Sequence, residues 1–161
     1  MEQQRGSSFP KALLIGCGVV FAGGAIVVSA LMFWLFSTPE GGVKLGHEMD
    51  QYALDYLDKH KILTSGEEVL AYYDVTLSMD GTEAAILTNQ RVIYHKEGRS
   101  TAVRLQDVRD VRHRRESLIG DIIEVEDQGG KILKIEIAPL NQGETFKNAL
   151  MSAWRAAGGR A

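Results

Sequence analysis

Residues 12–36, ALLIGCGVVFAGGAIVVSALMFWLF, contain no charged side chain and constrain this chain more than any other feature. At about 1.5 Å of rise per helical residue, the stretch is long enough to cross a bilayer with some tilt. Backbone amides in hydrocarbon must bond internally, so a lone span of this kind is expected to be a helix. Lys11 bounds it on one side, and proline, glycine and polar residues at 37–42 bound it on the other. A secretory signal would have a shorter apolar core. Val28-Ser29-Ala30 offers a cleavage site, but the apolar run continues through Phe36. Leu14-Ile15-Gly16-Cys17 resembles a lipobox, yet too few apolar residues precede Cys17 to form a signal core. Gly18, Ala22, Ala25 and Ser29 step by three and four, which predicts one stripe of small residues suited to helix pairing. The sequence thus predicts a single transmembrane helix and a single-pass protein of the cell membrane.

The remaining length suits one domain of about a hundred residues. A net charge of -3 argues against a wholesale nucleic-acid binder, and the lone Cys17 excludes a disulfide framework or cysteine metal site within one chain. The expected division is a tail at 1–11, the transmembrane helix at 12–36, a linker at 37–46, an amphipathic helix at 47–62 and a β-rich domain at 67–157. Met49, Tyr52, Ala53, Tyr56, Leu57 and His60 recur at helical spacing, while the helix's acidic residues mostly lie off that stripe. Its acidic polar face suits packing on the domain, or on a second copy, better than an anionic lipid surface.

From Glu67 the apolar period becomes two. A two-residue turn at Asp80-Gly81 would set Val75 opposite Ile86 and Leu77 opposite Ala84. A turn at Asn89-Gln90 would set Ile86 opposite Ile93, and a three-residue loop at 97–99 would set Ile93 opposite Val103. These registers agree on one buried face. A loop at 128–130 would pair Val125 with Leu133, Ile123 with Ile135, and Glu124 with Lys134. Asn141 and Glu144 suggest a capping box before a closing helix whose apolar stripe includes Phe146, Leu150, Ala153 and Trp154.

Ile86-Leu87-Thr88-Asn89-Gln90-Arg91-Val92-Ile93-Tyr94, followed by Leu105-Gln106-Asp107-Val108, resembles the bacterial pleckstrin-homology-like families, including GRAM-type domains. Glu68-Val69-Leu70 and the closing helix with Trp154 belong to the same likeness, which covers about 67–157. The resemblance implies a split β-barrel of six to seven antiparallel strands closed by a C-terminal helix. It also implies a module that binds lipids or proteins without catalysis. The first hairpin loop, Ser78-Met79-Asp80-Gly81-Thr82-Glu83, is short and acidic where inositol-phosphate binders carry basic residues.

The strongest charge feature is Arg104, Arg109, Arg112, Arg114 and Arg115, with His113 among them. It reads either as an edge strand charged against aggregation or as a surface for anionic lipid or an acidic partner. No aromatic interleaves the arginines to stack on bases. The four histidines lack metal-ligand spacing, and no nucleophile elbow or phosphate loop is present, so neither catalysis nor a cofactor or metal is expected. Thr88, Asn89 and Arg91 read as turn geometry and a brace. Two arguments on orientation disagree: the charges flanking the span place the C-terminal domain outside, whereas the resemblance places it in the cytoplasm. The function expected is a membrane-anchored binding module for a protein or a second copy, with polyanion docking through Arg109–Arg115 as the alternative.

Overall fold

In the computed structural model, residues 42–160 are described, apart from Leu77 and Met79. The chain divides into a unit of residues 1–39, outside the described residues, and a unit of residues 40–161. The elements are β1 (Lys44–Leu45), α1 (Gln51–Lys59), β2 (Val69–Asp74), β3 (Glu83–Thr88), β4 (Arg91–Lys96), β5 (Arg99–Arg104), β6 (Val108–Glu116), β7 (Gly120–Asp127), β8 (Ile132–Ile137) and α2 (Gly143–Ala156). Strands β1 to β5 form one antiparallel sheet in sequential order, and β6 to β8 form a second.

Two expectations are corrected here. Among the described residues, the split barrel of six to seven strands gives way to eight strands in separate sheets of five and three, with no closed barrel. The division falls at the 3-10 turn Leu105–Asp107, where β5 ends its sheet and β6 starts another. The additional strand is Lys44–Leu45, which pairs with Tyr72 and Ala71 in a segment expected to be linker. The single-pass membrane expectation is also corrected: among the described residues, no helix is long and apolar enough to cross a membrane. Helix α2, at 14 residues, and α1, at 9, fall short of the roughly 20 apolar residues a span requires. The expected span at 12–36, including Gly18, Ala22, Ala25 and Ser29, lies outside the described residues.

The first sheet is buried on both faces, not one. Tyr72, Ile86, Ile93 and Ala102 share a row across β2 to β5 and pack toward α1 with Ala53 and Leu57. Ala71, Leu87, Val92 and Val103 form the opposite face and meet Ile123, Val125, Ile135, Phe146 and Trp154. The uninterrupted apolar run Ala84-Ala85-Ile86-Leu87 follows from this, since a strand covered twice has no solvent face to make polar. Helix α1 is shorter than the predicted 47–62, because 46–48 is a 3-10 turn and Lys61 takes a left-handed φ of 50°. So short a helix is marginal alone in water. Burial of Leu57, worth roughly 1.5–3 kcal/mol, helps hold it on the sheet.

The registers explain which turns were legible. Ile86 pairs with Ile93, Val125 with Leu133, Ile123 with Ile135 and Glu124 with Lys134, in agreement with the expected loops. Lys96 pairs with Arg99, so the β4–β5 turn has only Glu97 and Gly98 at its centre, both at positive φ, and Ile93 faces Ala102 instead of Val103. Asp74 pairs with Ala84, so β2 ends earlier than expected and Asp80-Gly81 belongs to a longer loop. Leu77 lies outside the described residues.

Helix α2 closes the inter-sheet core through Phe146, Leu150, Ala153 and Trp154. Its N-cap is Gln142, without a side-chain cap bond, because Asn141 is buried and donates instead to the Tyr73 hydroxyl at 3.2 Å. Gly143 is required by close approach: a Cβ there would lie 2.6 Å from an Asp121 carboxylate oxygen. Trp154 is only 3% exposed. Trp154→Ala is expected to destabilise the protein by about 3–5 kcal/mol, the usual range for truncating a core aromatic. Urea denaturation of the full chain, followed by far-ultraviolet circular dichroism, measures the loss.

Candidate functional site

The hairpin of β6 and β7 determines what the arginines do. Its register sets Arg112 opposite Glu124 and Arg115 opposite Asp121. Arg112 approaches Glu124 at 3.5 Å, Glu126 at 3.4 Å and Asp110 at 3.8 Å. Arg114 donates to Glu124 at 2.7 Å and to Glu116 at 3.1 Å, while Arg109 pairs with Glu126. Arg115 forks onto Asp121 through two bonds of 3.0 Å, and His113 shares that carboxylate at 2.8 Å. Hydrogen bonding from Arg115, against the opposing effect of burial, holds Asp121 below the usual carboxylate range. Arg114 does the same for Glu124. The structure therefore brings Arg109, Arg112, Arg114 and Arg115 together, but each faces a carboxylate. Arg104 is separate, on β5, bonded to Asp107 at 2.6 Å.

Strand β6 is also an edge. It pairs with β7 on one side, and among the described residues its other edge makes no backbone hydrogen bond. Beside it lies a groove of about 510 Å³, lined by Val111 and His113 of β6 and by Lys147, Asn148, Met151, Ser152 and Arg155 of α2. Lys147, Met151 and Arg155 are four apart, so they share one helix face. Among the described residues, no carboxylate lines the groove. Lys147 pairs with Glu144 at 2.8 Å, whereas Arg155 makes no ion pair among the described residues. Half-buried Val111 and Met151 supply apolar surface, and three basic side chains frame it.

A second polar arrangement escapes sequence reasoning, because the fold alone assembles it. Asp74, Ala84, His95 and Ser100 form a row across β2 to β5 on the face toward α1. His95 is buried, with Nδ1 2.9 Å from Ser100 Oγ and Nε2 3.2 Å from the Tyr56 hydroxyl. His60 stacks on Tyr56 at 4.2 Å between ring centroids. Burial, and then His60, push the His95 pKa down. Buried Asp74 accepts from Tyr52 Oη, the Gly81 and Thr76 amides and the Thr76 hydroxyl, so its carboxylate organises the loop after β2. Nearly all of these donors and acceptors are spent on one another. Among the described residues, no group of three or more His, Cys, Asp or Glu is arranged to hold a metal ion.

Thr88, Asn89 and Arg91 serve a brace. Glu67, its side chain fully buried, takes Arg91 Nε at 2.7 Å and Nη2 at 2.8 Å, with Thr88 Oγ1 at 2.8 Å and the Thr64 amide at 2.7 Å. Arg91 Nη2 also donates to the Ile62 carbonyl at 2.9 Å, and Asn89 accepts from the Glu68 amide. The sequence offered no signal for Glu67 as the partner, since it lies 24 residues from Arg91.

The sequence matches no known protein family and no curated protein.

The Glu67 brace carries a pH dependence. Burial acts to raise the Glu67 pKa, but the bonds from Arg91, Thr64 and Thr88 outweigh it and hold the carboxyl at about 2. A depressed carboxylate contributes stability in full above its unfolded value, near 4.5, and loses it as pH falls toward 2. Glu67→Gln is expected to lower stability at pH 7 and to reduce the slope of stability between pH 4.5 and 2. Asp121, Glu124 and other low carboxyls leave a residual slope. Urea titrations across that interval measure both effects.

Proposed function

We propose that this domain is a non-catalytic binding module that takes an extended, acidic segment of a partner protein as an added strand on β6. The observation that carries the reading is the unpaired edge of a nine-residue strand running beside a groove with basic and apolar lining and no carboxylate. A strand added there would satisfy the outward amides and carbonyls of β6, while its alternate side chains entered the groove. Val111 and Met151 suit a small apolar side chain, and Arg155, which makes no ion pair among the described residues, suits a carboxylate, with Lys147, paired to Glu144, on the same helix face.

Charge selects the partner. Two copies pairing β6 to β6 would set arginines near arginines, which is unfavourable across a strand pair. An acidic segment avoids that. Docking of anionic lipid or another polyanion through Arg109–Arg115 has less support, because each of those arginines already lies within 4.0 Å of a carboxylate. The resemblance of residues 86–94 and 105–108 to pleckstrin-homology-like domains points to the same class, a module that binds without catalysis.

The test uses the full chain and a fluorescein-labelled nine-residue peptide alternating glutamate and valine. At low salt the peptide is expected to bind, and hydrogen exchange to slow at outward amides of β6. Lys147→Glu with Arg155→Glu should weaken binding at least tenfold, whereas Arg112→Gln should leave it nearly unchanged. A lysine–valine peptide should not bind. The reading fails if the acidic peptide is ignored at low salt, or if the double reversal leaves its affinity intact.

A further inference from the structure

A second cavity, of about 670 Å³, lies between the β3–β4 turn, the end of β5 and the turn that follows it. It is lined by Thr64, by Asn89, Gln90 and Arg91, and by Arg104 and Gln106, with Leu105, Ala102 and Ala157 completing it. Its volume lies within the usual range for small-molecule sites, and its lining is mixed, with polar side chains set among apolar surface.

The register places Arg91 directly opposite Arg104 on neighbouring strands. Like charges so placed repel unless something compensates them. Glu67 and Asp107 do so, yet neither lines the cavity, and among the described residues no other carboxylate does. The cavity therefore presents two guanidinium groups and three side-chain amides, of which Asn89 and Gln90 each give one N–H to the Gly66 carbonyl and keep a second, while the Thr64 hydroxyl donates to Glu67.

Donors remain for a ligand. Arg91 is fixed through Nε and Nη2 by Glu67 and the Ile62 carbonyl, and its Nη1 has no hydrogen-bond partner among the described residues. Arg104 uses only Nε, toward Asp107, and leaves both Nη groups. That pair is exposed, at 66% and 37% for the two side chains, and exposed pairs contribute little. Arg104 can turn to a ligand at small cost while Arg91 stays fixed.

We propose that this cavity binds a small-molecule oxyanion, held between the fixed Arg91 and the adaptable Arg104 with help from the Gln90, Gln106 and Asn89 amides. Two guanidinium groups and planar amide donors match the geometry of phosphate or carboxylate oxygens. The site shares no residue with the β6 groove, so either assignment can fail alone.

The test is calorimetric titration of the full chain with glycerol 3-phosphate and, separately, citrate, each against sodium chloride of equal ionic strength. At least one anion is expected to bind above the chloride control, and which one binds identifies phosphate or carboxylate as the group recognised. Arg104→Gln should weaken binding tenfold or more, and Arg104→Lys, which keeps the charge but not the fork, should recover only part of it. Asp107→Asn, which frees Arg104, should tighten binding several-fold, a gain that a merely structural role for Arg104 would not produce. Lys131→Gln, on the β7–β8 loop, should change nothing. The proposal is overturned if neither anion binds above chloride, if Arg104→Gln binds as well as the natural chain, or if Asp107→Asn binds no tighter.

Discussion

Burial of the five-stranded sheet on both faces is the constraint on which the rest of the structure depends. The inward face is covered by the second sheet and α2, and the outward face by α1. A helix of nine residues has little stability of its own, so α1 exists because Tyr72, Ile86 and Ile93 need a cover. The same double burial leads Asp74 and His95 under α1 to find partners within the layer, whereas the buried Tyr72 hydroxyl has no hydrogen-bond partner among the described residues. Asp74 turns its carboxylate onto the Gly81 and Thr76 amides and Tyr52, and His95 sits between Ser100 and Tyr56. Buried polar groups left without partners destabilise a fold strongly, and these are satisfied within one layer.

The second sheet solves a different problem. Its outer face is a ladder of opposite charges, arginines from β6 against glutamates from β7, with Lys134 and Glu136 paired on β8. Each exposed pair contributes little to stability. Together they keep charged side chains along the edge strand, which is how natural sheets avoid random edge pairing. Selection of a partner falls instead to the groove wall, where Arg155 makes no ion pair among the described residues.

Turns with fixed local geometry were legible in the sequence, and interactions across the chain were not. Asn89-Gln90 and the 128–130 loop fix their registers within a few residues, so Ile86–Ile93 and Val125–Leu133 follow from alternation alone. Asp80-Gly81 has the composition of a tight turn, but Asp74 draws the following loop onto its own carboxylate and β2 ends early. A single buried face was inferred because alternation assumes one solvated side, and nothing local to β3 says that α1 will cover the other. The arginine run was legible, whereas its neutralisation was not. Asp121, Glu124 and Glu126 follow in sequence and oppose the arginines only because the hairpin folds them back. Glu67 and His95 were invisible for the same reason: their partners Arg91 and Tyr56 lie 24 and 39 residues away.

These long-range pairings also locate the binding surfaces. A cation is open to a ligand where no carboxylate lines the surface that the ligand approaches, and most basic side chains of the domain fail that condition. Arg109, Arg112, Arg114 and Arg115 have carboxylates on the facing strand, so their field is largely cancelled at short range. Two places meet the condition. In the groove beside β6, Arg155 has no ion-pair partner among the described residues and no acid lines the wall. In the cavity at the end of β5, Glu67 and Asp107 compensate Arg91 and Arg104 from outside the lining. Counting basic residues in sequence points to β6 itself, but the positions of the acids move the binding surface away from the arginine ladder, to the groove wall and to the cavity at the end of β5.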